Sequence, residues 1–89
     1  MHYNASKAGM EGMTRGYAAR LVQHGITVNA VAPSQIATDM IAVRGDNATH
    51  IPLGRFGTPE EVGAAVVMVA TNAYMSGQTV QLNGGRHFI

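Results

Sequence analysis

The chain has 89 residues, fewer than the roughly 100–150 of most compact domains, and its 46 % apolar content argues against disorder. Only 12 % of the residues are charged, against about 25 % in a typical soluble domain, which indicates that other protein covers part of the surface. The net charge of +1 and the absence of a long apolar run argue against nucleic-acid binding and a membrane span, and the absence of cysteine argues against disulfides and fits a cytoplasmic location.

The first predicted element is a helix over residues 4–24, which Gly25 ends as a C-cap. Small residues recur at every third or fourth position and form one stripe: Ala5, Gly9, Gly12, Gly16 and Ala19. A second stripe beside it is larger and apolar: Met10, Met13, Tyr17 and Leu21. An interior glycine costs a helix about 1 kcal/mol relative to alanine, which close approach of another backbone would offset. The stripe therefore fits packing within the same domain or packing on a partner subunit as well.

A strand is predicted over residues 26–32, because this β-rich run lacks the alternation of a strand with one exposed face. Residues 34–57 are expected to be irregular, with a short helix near 38–43, because glycine, proline and asparagine interrupt them. A connection of this length inside a compact unit is often functional.

The second long helix is predicted to begin at the capping box formed by Thr58 and Glu61, with Pro59 in its first turn. Its body, residues 62–70, is apolar on all sides, which predicts burial on most sides. A turn over 74–78, a strand over 79–82 and a final turn at Gly84 and Gly85 complete the chain.

Strand, crossover helix and strand predict a right-handed parallel unit of an α/β fold. A parallel sheet needs helices on both faces, and two strands with two helices cannot cover one another completely. The sequence therefore predicts the C-terminal portion of a doubly wound parallel sheet, with assembly of identical copies as the alternative.

Tyr3 and Lys7 lie four residues apart at the start of the first helix and so share one face. A lysine ammonium beside a tyrosine hydroxyl favours the phenolate and lowers the tyrosine pKa from its ordinary value of about 10. Such a tyrosine can exchange a proton with a carbonyl or alcohol oxygen. The pair alone occurs by chance in many proteins. The four histidines lack metal-ligand spacing, so no metal site is predicted.

In context the pair resembles the active-site helix of the short-chain dehydrogenase/reductase family, and the similarity continues along nearly the whole chain. It is carried in order by residues 3–9, 26–33, 36–40, 52–62, 76–80 and 83–85. These motifs are most similar to the branch that contains 3-oxoacyl-acyl-carrier-protein reductases. The resemblance implies a Rossmann-like fold, a homo-oligomer formed through helix 4–24 and the C-terminal strand, and hydride transfer between NAD(P)(H) and a carbonyl or alcohol substrate.

The resemblance also implies roles for individual residues. Tyr3 would be the general acid/base, and Lys7 would lower its pKa and hydrogen-bond the nicotinamide ribose. Pro33, Ile36 and Thr38 would lie along the nicotinamide half of NAD or NADP, with the Ile36 backbone meeting the carboxamide. Residues 39–51 would form part of a lid over the substrate.

The chain departs from the family pattern at Ser34, where glycine is common, and at Asn83, where aspartate is frequent. The family's phosphate loop and catalytic serine precede the tyrosine. Residues 1–89 are therefore expected to be the C-terminal segment of a single NAD(P)-binding domain, catalytically active only with an N-terminal half. The alternative is a non-catalytic remnant or oligomerisation module.

Overall fold

The computed structural model describes residues 2–37 and 48–85, with residues 2–4 described through the backbone alone. The elements follow one another as helix, strand, helix and strand, which confirms the predicted order. They are helix α1 (His2–Leu21), a 3₁₀ turn (Val22–His24), strand β1 (Ala30–Pro33), helix α2 (Pro59–Thr71) and strand β2 (Thr79–Leu82). No helix among the described residues is long and apolar enough to cross a membrane.

The chain divides into two compact units. The first contains Met1–Ala30 and Met68–Val80, and the second contains Val31–Val67 and Gln81–Ile89. The strands β1 and β2 pair in a two-stranded sheet. In the first unit the Ala30 N–H donates to the Gln78 carbonyl at 2.9 Å, and in the second the Ser34 N–H donates to the Leu82 carbonyl at 2.8 Å. Both pairs have the same offset in the sequence, so the strands run parallel, as predicted.

Helix α1 packs within the first unit through a face that shares only Leu21 with the two predicted stripes. Thr14 and Ala18 are 7 % and 6 % exposed, and Lys7, Glu11 and Leu21 on the same face are half-buried. The Thr14 hydroxyl donates to the Met10 carbonyl at 2.9 Å, so this buried polar group is satisfied. These spacings of three and four are helical, but three of the five side chains are polar, so a hydrophobic pattern could not reveal them.

Apart from the half-buried Leu21, both predicted stripes of α1 are exposed in the described structure. Met10, Met13 and Tyr17 are 57 %, 62 % and 51 % exposed. A Cβ added at Gly9, Gly12 or Gly16 would meet no atom within 4 Å. No described residue therefore packs against these three glycines, and packing of the stripe on the rest of the domain or on a partner subunit stays a prediction.

The end of α1 follows the prediction closely. Gly25 adopts the left-handed conformation, with φ 75° and ψ 19°, and its N–H donates to the Val22 carbonyl. The helix begins at His2 rather than at residue 4, and its last turn tightens into the 3₁₀ form. Strand β1 begins at Ala30 rather than at residue 26, so the first four residues of the predicted strand lie outside it.

The late start of β1 has a side-chain cause. The Asn29 side-chain amide donates to the Met75 carbonyl at 2.9 Å and its Oδ1 accepts from the Gln78 N–H at 3.1 Å. The Val28 N–H donates to the Ser76 hydroxyl at 3.2 Å. Side-chain bonds thus carry much of the pairing before Ala30, beside one backbone bond from the Gly77 N–H to the Val28 carbonyl at 2.8 Å.

Helix α2 begins at the predicted capping box. The Glu61 N–H donates to the Thr58 hydroxyl at 3.1 Å, and the Thr58 N–H donates to Glu61 Oε1 at 2.9 Å. Burial of this helix on most sides was wrong for the described structure, because none of its residues is buried and Val67 is 61 % exposed. Two strands and two helices offer too little surface to cover an all-apolar helix.

The connection between β1 and α2 has neither a helix nor a strand in its described parts, residues 34–37 and 48–58. The predicted short helix near 38–43 lies outside the described residues. The turn after β2 is confirmed: Gly84 and Gly85 have φ values of 63° and 84°, and the Gly85 N–H donates to Asn83 Oδ1 at 3.0 Å.

Candidate functional site

The predicted acid/base pair lies at the start of α1, in the first unit. Tyr3 and Lys7 occupy successive turns of one continuous helix, so the two positions share a face. The Lys7 side chain is half-buried and belongs to the face that packs within the unit. Only the backbone of Tyr3 is described, so its hydroxyl position remains a prediction.

The predicted nicotinamide contacts lie in the second unit, directly after β1. Pro33 is the exposed last residue of the strand, and Ile36, three residues later, forms an isolated parallel bridge with Gly57. Thr38 lies outside the described residues. A Cβ added at Gly57 would lie 2.8 Å from Ile36 Cδ1, so the end of the Ile36 side chain would have to shift to admit it.

The bridge determines where the Ile36 backbone groups point. The Gly57 N–H donates to the Gln35 carbonyl at 3.0 Å, and the Ala37 N–H donates to the Gly57 carbonyl at 2.8 Å. The bridge therefore uses the residues on either side of Ile36 and none of its own backbone groups. Because backbone groups alternate in direction along an extended segment, the Ile36 N–H and C=O face away from Gly57. No described residue forms a hydrogen bond with them.

This outward-facing pair suits a group that carries both a donor and an acceptor. A primary carboxamide carries N–H donors and one carbonyl acceptor, so it can pair with the N–H and C=O of a single residue. The described residues around Ile36 therefore fit the carboxamide of a nicotinamide cofactor.

Ser34, the departure from the family's common glycine, is accommodated without backbone strain. The left-handed residue of this turn is Gln35, with φ 61°. Ser34 instead continues the pairing with β2 through its N–H. A non-glycine residue in the left-handed region costs about 1–2 kcal/mol, so the surrounding contacts hold Gln35 there.

One side chain, that of His50, contacts this turn from the opposite end of the connection. The His50 Nε2–H donates to Gln35 Oε1 at 2.8 Å. The His50 ring meets the edge of Phe56 with centroids 6.1 Å apart and an interplanar angle of 68°. The sequence assigned no role to Gln35 and placed His50 only within the predicted lid of residues 39–51, and their separation of 15 residues carries no periodic signal.

An ion pair fixes the start of α2 in the same unit. Arg55 Nη1 and Nη2 donate to the two Glu61 carboxylate oxygens at 2.9 and 2.8 Å. Hydrogen bonds from the Arg55 guanidinium and then from the Thr58 backbone N–H lower the pKa of Glu61 to about 2. Arg55 is a further residue that the sequence did not reveal, because it precedes the helix and shares no helical spacing with Glu61.

An apolar recess of about 160 Å³ lies next to the Ile36 turn. Its apolar side chains come from three parts of the second unit: Ile36, Ile51, Leu53, Val62 and Leu82. Ile51 is the most buried of them, at 3 % exposed. No cluster of three or more metal-ligating side chains occurs in the part of the chain that the structure describes.

The described elements form a parallel α/β unit, and a tyrosine and a lysine lie on the first turns of the helix that precedes it. Comparison with known proteins identifies the family. A family model described as Enoyl-(Acyl carrier protein) reductase matches residues 1–87. The chain belongs to the short-chain dehydrogenase/reductase family and is similar to 3-oxoacyl-acyl-carrier-protein reductases. This confirms the resemblance found in the sequence.

Individual relatives cover nearly the whole chain. It is 46 % identical to carbonyl reductase family member 4 of Danio rerio over 85 residues, which are 93 % of the chain and 36 % of that relative. It is 39 % identical to the 3-oxoacyl-[acyl-carrier-protein] reductase FabG of Vibrio harveyi over 95 residues, which are 99 % of the chain and 39 % of that relative. The chain thus spans well under half the length of the curated relatives it matches.

A solved structure shows the same arrangement of elements. The putative oxidoreductase from Escherichia coli str. K-12 superposes with a TM-score of 0.81 at 40 % identity, over 94 % of this chain and 34 % of that one. The fold is therefore part of a Rossmann-like α/β fold, which confirms the predicted fold class.

Proposed function

We propose that residues 1–89 are the C-terminal segment of a single NAD(P)-binding domain that interconverts a carbonyl and an alcohol, active together with a family N-terminal half. The observation that carries the proposal is the placement of Tyr3 and Lys7 on successive turns of α1 within a chain that matches the family over residues 1–87. The relatives named above are a carbonyl reductase family member and a 3-oxoacyl-acyl-carrier-protein reductase, which supports a small carbonyl substrate.

In the proposed mechanism, bound NAD(P)H supplies the hydride that reduces the carbonyl carbon. The Tyr3 hydroxyl donates the proton to the carbonyl oxygen, and in the reverse direction the phenolate removes it from the alcohol. The Lys7 ammonium favours that phenolate and hydrogen-bonds the nicotinamide ribose. Pro33, Ile36 and Thr38 would line the nicotinamide, and the outward-facing Ile36 N–H and C=O would bind the carboxamide.

The test uses the complete protein, meaning these residues with the polypeptide that precedes or accompanies them in the natural source. Acetoacetyl-coenzyme A serves as the probe, and oxidation of NADPH or NADH is followed by absorbance. Tyr3→Phe removes only the hydroxyl, and we expect a loss in kcat of about 10²–10⁴-fold. Tyr74→Phe, at a fully exposed tyrosine side chain, is the control and should retain the wild-type rate. A Tyr3→Phe enzyme within two-fold of wild type would refute the role of Tyr3.

The isolated 89-residue chain is expected to show no cofactor-dependent turnover. Robust turnover by a pure sample would contradict the requirement for an N-terminal half. The proposal also includes a cytoplasmic location, which stays a prediction.

The proposal also includes a homo-oligomer formed through α1 and β2. If the chain had this property without catalytic activity, it would be the alternative, a non-catalytic oligomerisation module. The exposed glycine stripe and the exposed Met10, Met13 and Tyr17 of α1 support it. Gly12→Arg should dissociate the assembly in light scattering, whereas Gln23→Arg, beyond the end of the stripe, should not. An unchanged mass for Gly12→Arg would argue against this interface.

A further inference from the structure

We propose that Gln35 and His50 are positioning residues for the cofactor: their side-chain hydrogen bond fixes the Ile36 backbone in the orientation that binds the nicotinamide carboxamide. The inference rests on the proposed NAD(P)-dependent function and adds two residues that act through the Ile36 backbone. It follows from how the chain changes direction after β1.

That change of direction is made by a single residue. Ser34 still pairs with Leu82 of β2, whereas Ile36 already pairs with Gly57. Gln35 alone turns the chain from one partner to the other, and it does so with φ 61°. Glutamine is not among the residues enriched in this region, so its conformation depends on the contacts around it.

The side chain of Gln35 is held by one of those contacts. His50 donates to its Oε1 at 2.8 Å and rests edge-on against Phe56. Phe56 directly precedes Gly57, whose N–H donates to the Gln35 carbonyl. Side-chain and backbone contacts therefore link Gln35, His50, Phe56 and Gly57 into a closed ring, and Ile36 is the next residue after Gln35.

The donor is itself anchored. Ile51, adjacent to His50, is 3 % exposed, and the Leu53 N–H donates to the Gly84 carbonyl at 2.9 Å. His50 thus projects from a fixed backbone while its own side chain is exposed. A bond in this exposed place adds little burial, which favours positioning of the turn over stabilisation of the core.

The experiment measures binding by calorimetry on the complete protein. Two probes are compared: NAD(P)H and its 3-acetylpyridine analogue, in which a methyl group replaces the carboxamide NH₂. The variants are His50→Phe, which keeps the aromatic contact, and Gln35→Gly, which removes the side chain while relieving the positive φ and therefore cannot unfold through strain. His24→Phe, an exposed histidine at the end of α1, is the matched control.

We expect His50→Phe and Gln35→Gly to weaken NAD(P)H binding by about three- to ten-fold, the effect of one lost hydrogen bond. The analogue keeps the carbonyl that accepts from the Ile36 N–H but lacks the donor to the Ile36 C=O, so its binding should weaken less and the preference for the carboxamide should fall. His50→Gln places an amide donor near the position of Nε2 and should restore the preference, while His24→Phe should leave it unchanged.

If both variants keep the wild-type ratio of the affinities for NAD(P)H and the analogue, the positioning role is wrong, while the proposed function stays intact. Failure of the wild-type protein to bind NAD(P)H at all would overturn both. The Tyr3→Phe experiment measures turnover and this one measures cofactor binding, so the two proposals can fail separately.

Discussion

Replacing Gly84 by alanine is the substitution for which the structure gives the sharpest expected loss of stability. Gly84 follows β2 in the left-handed conformation, with φ 63°. A Cβ at this position would lie 2.5 Å from Ile51 Cγ2 and 3.7 Å from Leu53 Cβ. The Ile51 contact is about 1 Å shorter than the ~3.5–4.0 Å of ordinary carbon contacts. Ile51 cannot yield easily, because it is 3 % exposed and its Cγ2 is fixed by the branched Cβ.

Two terms set the size of the effect. An alanine in the left-handed region costs about 1–2 kcal/mol, and overpacking a buried site costs about 1–3 kcal/mol. We therefore expect Gly84→Ala to lower the free energy of unfolding by about 2–5 kcal/mol.

Gly54→Ala separates these terms. Gly54 has φ 87°, but an added Cβ meets nothing within 4 Å, so only the conformational cost of about 1–2 kcal/mol applies. Urea unfolding followed by circular dichroism gives both values. Equal losses in the two variants would refute the close contact between Gly84 and Ile51.

Three further outcomes are expected. Glu61→Gln should lower the melting temperature at neutral pH. Because the folded-state pKa of Glu61 is about 2 against an ordinary 4.5, the difference in melting temperature from wild type should vanish as the pH falls through that interval. A difference that persists at the acid end would contradict the ion pair with Arg55. Thr58→Ala should cost about 0.5–2 kcal/mol in urea unfolding and Thr58→Ser only a small part of it, whereas equal losses would argue against the hydroxyl cap. Asn29→Ala should lower the free energy of unfolding by about 1–3 kcal/mol. Asn29→Asp should retain the bond from the Gln78 N–H while losing the one to the Met75 carbonyl. An Asn29→Ala protein as stable as wild type would show that these bonds do not align the strands.

Local signals in the sequence accounted for the ends of the helices. Gly25 marked the end of α1, and Thr58 with Glu61 marked the start of α2, because capping uses residues within four positions of one another. The bounds of β2 followed from its short β-rich run between turn residues. The start of β1 did not, because the Asn29 side chain bonds to residues 46 and 49 positions away.

The packed face of α1 shows why a pattern of apolar residues was insufficient. The stripes with the strongest pattern are exposed, and the face that packs within the unit contains Lys7, Glu11 and Thr14. Small and apolar residues mark surfaces that favour burial, but they do not say which surface of the molecule covers them.

The sequence by itself determined the family, the order of the elements and the Tyr3 and Lys7 pair, because these depend on short motifs and on spacing along one helix. Only the tertiary structure decided that Gln35 takes the left-handed turn, that His50 bonds to it, and that the Ile36 N–H and C=O face away from Gly57. Those features join residues 15 to 22 positions apart through hydrogen bonds and contacts, and such pairings leave no period in the sequence.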